Sequence, residues 1–314
     1  MQYIPLYANG PLVSRIALGC WPIAGITSLG VSAESSIATV HKALDEGVNF
    51  FDTAYSYGFH GESDRILQIV LSQRTERMVI ASKVGQYWNQ QKQRVIDARP
   101  ETMFRHTQEC LERLNVDCVD LMYLHAPDPG VPLAESAGAL SEICQKGWAR
   151  SVGVCNVNLE QATEVSRHCN LAVIQIPFNM LQQGQHRALR QFASQHQILI
   201  ACYWIYMKGL LAGKLRRDHR FSPEDKRLSY EIFQGEAWER AQDLLDRLET
   251  LSIEKKCAIS QLVISWSLRQ PQADLLLMGA KNPEQITETA KSHLVLLSQQ
   301  ELEALDGYIS EATR

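Results

Sequence analysis

Short apolar runs alternate along the chain with longer stretches in which apolar residues recur every three or four positions. The runs at 15–19, 48–52, 79–83, 119–125, 151–155, 173–175, 198–202 and 275–278 read as strands, being rich in Val, Ile and Leu and too short for helices. The stretches at 34–46, 100–114, 133–146, 159–168 and 187–196 carry the helical period. Strand and helix therefore alternate from end to end. Strands that are apolar on both faces need cover on both sides, which suits a parallel sheet ringed by helices, and eight of them close a barrel. The expected fold class is α/β, a (β/α)8 TIM barrel. Ahead of it, Asn9-Gly10 lies between short apolar runs and predicts an N-terminal β-hairpin placed to cap the bottom. The segment 214–235 breaks the rhythm: it is long, charged ("RRDHR") and aperiodic, which predicts a mobile loop on the face where the seventh strand ends.

A chain of 314 residues has room for two domains, but barrels of this kind reach that size as one unit. No linker, repeat or low-complexity tract divides it, so residues 1–314 are expected to form a single domain. With 45% hydrophobic and 21% charged residues there is material for a large core. The net charge of −4, from 31 basic and 35 acidic residues, leaves no footprint for nucleic acid or an anionic membrane, which favours small-molecule chemistry. The start, "MQYIPLYANG", has neither a basic leader nor a long apolar core, and no segment reaches the length of a membrane span. A cytoplasmic protein is expected. The eight cysteines (20, 110, 118, 144, 155, 169, 202 and 257) form no C-x-x-C pair and read as reduced thiols, with no zinc site.

Barrels carry their chemistry at the C-terminal ends of the strands. In "VNFFDTAYSYG" the second strand stops on Asp52 and Tyr57 follows; the third strand ends on Lys83 and the fourth on His125. Further round lie Cys155-Asn156, Gln175, Tyr203 and Gly279-Ala280-Lys281. Singly, an aspartate accepting loop N–H groups, a surface lysine or a bonded core histidine would be ordinary. Four titratable groups on three successive strand ends mark an active site. Their chemistry is that of proton delivery. Tyrosine titrates near ~10, so it serves as a general acid at neutral pH only where something favours the phenolate. A lysine ammonium does so, an aspartate keeps that lysine charged, and a histidine bonds the substrate oxygen. Such a device protonates a carbonyl and needs a hydride from elsewhere.

From end to end the chain resembles an aldo-keto reductase: "FFDTAYSYG", "ASKVG", "LMYLH", "SVGVCNVN", "QIPFNM" and "GLLAGK" stand in that family's order and spacing. The resemblance implies NADPH, or less often NADH, bound without a Rossmann domain, which fits the absence of a strand-linked G-x-G-x-x-G. It also implies that Asp52, Tyr57, Lys83 and His125 are catalytic, with Tyr57 the proton donor and Tyr55 a bystander. Asn156 and Gln175 would hold the nicotinamide carboxamide and Tyr203 would stack on its ring. Cys155 replaces the usual serine, so one hydroxyl hydrogen bond is expected to be weak or lost. Trp204, Ile205 and Tyr206 precede Lys208 and Gly209 where the family often has Ser-Pro-Leu, which alters the pyrophosphate side.

At "GAKNPEQITET", Gly279 leads into a helix capped by Asn282 with Pro283 in its first turn, an N-terminus suited to phosphate. Lys281 would meet an adenosine 2′-phosphate. Gln285 stands where many members have arginine, and Glu288 keeps the adenine contact. NADP(H) is the expected cofactor, with NAD(H) second. Trp21 and Trp88, with Phe59 and Tyr87, are the residues expected to line an aromatic pocket for an aldehyde, ketone or sugar. The main rival is a regulatory cofactor-binding subunit of the potassium-channel beta type, which retains the same four residues. A barrel lyase using Lys83 as a Schiff-base amine is a more distant one.

Overall fold

The computed structural model describes residues 1–26, 30–184, 186–271 and 273–313. The expected hairpin opens it: β1 (Tyr3–Pro5) pairs antiparallel with β2 (Leu12–Ser14), Tyr3 opposite Ser14. Asn9 in its turn takes φ 61°, a left-handed value that asparagine tolerates. Then come β3 (Ile16–Gly19), β4 (Phe50–Asp52), β5 (Val79–Val84), a second hairpin of β6 (Gln86–Trp88) and β7 (Arg94–Ile96), and β8 (Leu121–Leu124). The last strands are β9 (Val152–Cys155), β10 (Leu171–Pro177), β11 (Leu199–Tyr203) and β12 (Leu275–Gly279). Among the described residues, eight parallel strands close in the order β3-β4-β5-β8-β9-β10-β11-β12.

The helices α1 (Ala33–Asp45), α2 (Glu62–Gln73), α3 (Pro100–Leu114), α4 (Leu133–Gln145), α5 (Leu159–Ser166) and α6 (Arg187–Gln195) return the chain between strands. After β11 come α7 (Gly235–Lys255) and α8 (Ile259–Ser267), and after β12 α9 (Pro283–Ala290) and α10 (Gln299–Ala312). None of the described helices is long and apolar enough to cross a membrane.

Side chains alternate across each strand, so β4 sends Phe50 into the barrel and Phe51 out to the helices. Inside, Leu6 and Val13 of the first hairpin pack with Ala17, Phe50, Val79, Leu121 and Leu275. The hairpin thus plugs the barrel bottom. Each large side chain so buried contributes roughly 1.5–3 kcal/mol relative to exposure.

The expectation of a free loop over 214–235 is corrected. Two short 3-10 turns, Lys226–Ser229 and Glu231–Phe233, break it up. Phe233 is buried, and Phe221 packs edge-on against both Phe233 and Trp238. Arg216 and Arg217 also reach Asp246, Glu249, Glu239 and Asp243 on α7. Exposed ion pairs add little each, so the aromatic anchor is the main hold. Turns this short show no period for a sequence to reveal.

Candidate active site

β4 ends on Asp52, but its hydrogen bonding with β5 runs on: Thr53 N–H donates to Ala81 (2.8 Å) and Tyr55 N–H to Lys83 (2.9 Å). Gly58, at φ 115°, then turns the chain into α2. This leaves Tyr57 at the barrel mouth, partly exposed, with its hydroxyl 3.1 Å from Lys83 Nζ. Lys83 is fully buried. Its ammonium has three N–H groups and three acceptors: Asp52 Oδ1, the Thr53 carbonyl (2.9 Å) and the Tyr57 hydroxyl.

Burial pulls Lys83 towards neutrality, but Asp52 and Tyr57 more than offset that and hold its pKa above the usual lysine value. Burial pushes the Tyr57 phenol up to about 12, and Lys83 pulls against that without reversing it. Lys83 thus lowers the phenol pKa as expected from the sequence, against a larger opposing effect of burial. Tyr57 rests as a phenol, and Lys83 limits the cost of giving the proton up.

His125 follows β8, its N–H donating to Val84 (2.9 Å), and its ring meets Tyr57 edge-on at 6.0 Å. Burial, then the charges of Lys83 and Arg94, hold its pKa well below the usual histidine value, so the imidazole is neutral. Its Nδ1 is buried without a hydrogen-bond partner. His106 of α3 stacks instead on Tyr55 at 3.7 Å, on the helix side of the strand. Tyr55 donates to Glu109 (2.7 Å) and lies under Arg113. Tyr55 is thus tied to helix α3 rather than to Lys83.

The next strands supply amides. Gln175 donates to Asp52 Oδ2 (2.9 Å), and Asn156 donates to the His125 carbonyl (2.8 Å) while accepting from the Tyr203 hydroxyl (2.8 Å). Burial pushes the Cys155 thiol up to about 12, so it stays protonated and donates to Gln175 Oε1 at 3.4 Å. A thiol donor at this length is weaker than the serine hydroxyl it replaces, in line with the expectation of a weak or lost bond. Trp21 meets Tyr57 edge-on at 5.2 Å and stacks on Trp88 at 6.5 Å, and Phe59 packs on Trp88. Tyr87 turns away to His106.

The remaining candidates stand round the β11–β12 side of the mouth. Gly279 is level with Gly19, which is level with Asp52. Asn282 caps α9 as expected, accepting from Gln285 N–H (2.9 Å), while Gln285 Oε1 accepts from Lys281 N–H (2.9 Å). Glu288 accepts from Ser260. Gly209, at φ 96°, closes a turn in which Trp204, Met207 and Lys208 also have positive φ. Lys281 Nζ has no partner among the described residues. Two amides, a half-buried tyrosine ring and a helix N-terminus make a donor set that fits a nicotinamide dinucleotide.

The sequence profile described as the Aldo/keto reductase family matches residues 15–310. The chain belongs to this family. It shares the family's NAD(P)H-dependent oxidoreductase function and its barrel. An aldo-keto reductase of Bacillus subtilis (strain 168), YhdN, is 30% identical over 91% of this chain and 87% of that protein. An NADH-specific methylglyoxal reductase of Escherichia coli (strain K12) is 27% identical over 95% of both chains. The solved glycerol dehydrogenase AKR11B4 of Gluconobacter oxydans superposes with a TM-score of 0.92 at 29% identity, covering 99% of this chain and 95% of that one.

Sequence reasoning missed three residues near this aldo-keto reductase site. Asp64 is fully buried and accepts from Thr53 Oγ1 (2.7 Å), whose carbonyl holds Lys83. Arg113 lies 3.9 Å from Asp64 and donates to the Tyr55 carbonyl (3.3 Å). Arg94 lies over Trp21 and Trp88. Each comes from a helix or hairpin, so no strand-end position pointed to it.

Proposed function

We propose that the protein reduces an aldehyde or ketone, or oxidises the matching alcohol or sugar, with NADPH preferred and residues 1–314 acting as one unit. The observation that carries this is the threefold contact of Lys83 with Asp52, Thr53 and Tyr57. A reduced nicotinamide, when bound, would be the source of the hydride that the carbonyl carbon needs. Tyr57 supplies the proton: its O–H bond breaks as a new one forms on the carbonyl oxygen, and solvent later reprotonates the phenolate. Lys83, held charged by Asp52, stabilises that phenolate. His125, neutral, would orient the carbonyl oxygen, and Asn156, Gln175 and Tyr203 are the residues that would hold the nicotinamide. A preference for NADPH is supported by the unpaired Lys281 at the start of α9. Small oxygenated substrates are supported by relatives named for methylglyoxal and glycerol. Eight unpaired cysteines suit a reducing cytoplasm.

Tyr57→Phe tests the assignment. It should fold and bind cofactor yet lose carbonyl reduction by about 10²-fold or more, since a general acid is removed. Tyr55→Phe, whose hydroxyl only reaches Glu109, should be far milder. Near wild-type turnover by Tyr57→Phe would reject the role.

A further inference from the structure

The β6–β7 hairpin brings an unclaimed cation to the substrate side of the mouth. Arg94 stands directly opposite Trp88 in the hairpin register. Its guanidinium carbon lies 4.9 Å from the Trp88 ring centre and 5.0 Å from that of Trp21. Trp21 in turn packs on Tyr57, so one ring separates this guanidinium from the proton donor. Trp88 is itself fixed, its indole N–H donating to the Ser56 carbonyl (2.8 Å). The charge is felt at the reacting groups: it adds to the forces that keep His125 neutral, and it interacts with Tyr57.

The guanidinium has no carboxylate and no hydrogen-bond acceptor among the described residues, although other arginines near the site do. Arg99 is paired with Asp97 and Arg113 with Glu109. A second cation, Lys92, stands at the hairpin tip over the Phe59 ring (4.7 Å), also without an anionic partner among the described residues. The guanidinium carbon thus lies beside two indole rings while its N–H groups have no acceptor among the described residues, which leaves them available for bidentate recognition of an oxyanion. Arg94 is exposed, so its charge stays hydrated until an anion meets it, and it reaches the rings without giving up its solvent.

We propose that Arg94 recognises an anionic group on the carbonyl substrate, so that the preferred substrates carry a carboxylate or a phosphate a few bonds from the aldehyde or ketone carbon. This rests on the reductase reading, and it names the substrate class of that same site. Arg94 is a specificity residue and takes no part in the proton or hydride transfer.

The test compares molecules differing only in charge: 4-carboxybenzaldehyde with its methyl ester, and glyceraldehyde 3-phosphate with glyceraldehyde. For a charge-assisted bidentate contact, Arg94→Met should lower kcat/KM for the charged partner by about 10- to 100-fold, mainly through KM. The neutral partners should change less than about threefold, and Arg94→Lys should restore part of the loss. Which charged molecule loses more distinguishes carboxylate from phosphate. An equal loss for charged and neutral partners, or no loss, would overturn the proposal.

Calorimetric titration with 4-(hydroxymethyl)benzoate gives a readout without turnover. Binding by wild type that Arg94→Met abolishes supports anion recognition even if no aldehyde is reduced, a result that would reject the reductase reading alone. Equal binding by both proteins would overturn the proposal while leaving that reading intact.

Discussion

At the β4–β5–β8 corner of the mouth, Lys83 has all three N–H groups on acceptors inside the protein; at the β11–β12–α9 corner, Lys281 Nζ has none. The first lysine is enclosed and its surroundings fix its charge. The second is exposed and stays hydrated until a ligand arrives. A group that tunes a proton must be dry, because water screens the interaction it depends on. A group that reads a phosphate must start wet, because a charge buried in advance would carry its desolvation cost without its partner. On the proposed function one corner would serve chemistry and the other selection, and damage to them should differ in kind.

The largest effect is expected at Lys83. Lys83→Met should cost about 3–5 kcal/mol of stability, because it leaves Asp52 buried and unpaired, and it should abolish most turnover. Adding Asp52→Asn should recover part of the stability and none of the turnover, since an amide is cheaper to bury but tunes nothing. Denaturant melts and single-turnover reduction on both single variants and the double resolve this. Additive stability losses would mean the two residues do not interact.

A smaller effect sharpens the dry side of the contrast. Burial pushes the Asp64 carboxyl up to about 6, although Thr53 and Arg113 pull it down. A carboxyl whose folded pKa lies above its unfolded value favours the fold most when protonated. This stability is full below about pH 4 and is lost as pH rises to about 6, a change on the order of 2–3 kcal/mol. Asp64→Asn should keep the Thr53 bond and remove the slope. Its advantage over wild type in urea melts should grow between pH 4.5 and pH 7. A constant difference would show that Asp64 ionises without hindrance.

The smallest effect belongs to the wet corner. Lys281→Met should weaken NADPH binding by about tenfold, as for one charge-assisted contact at a hydrated site. NADH binding should hardly move. Fluorescence titration with both nucleotides checks it, and parallel losses would place the discriminating cation elsewhere.

The parts legible in the sequence were those that follow a period. β4, β5 and β9 were found to within about two residues because buried strands are continuous apolar runs, and Pro100–Leu114 was found to the residue because Pro at the start and Asn115 in the left-handed region mark its ends. Asp52, Lys83 and His125 were legible because polar residues at strand ends interrupt those runs. The β6–β7 hairpin was not. Its turn, Asn89 to Gln93, has no glycine: Lys92 takes φ 58° and the Asn89 side chain accepts from Gln91 and Gln93 N–H instead. Arg94 was lost with it. The balance of forces on Tyr57 was also beyond the sequence, because burial is a property of the packed site and here it outweighs the lysine.

The plugged barrel bottom has a consequence for traffic. Leu6 and Val13 are seated among the inward-facing residues of the strands, so side chains close the bottom of the barrel. On the proposed function, substrate, product and nucleotide would then all enter and leave at the other end, where Tyr57 stands. Under that reading, release at the open end would set throughput alongside the speed of the chemistry.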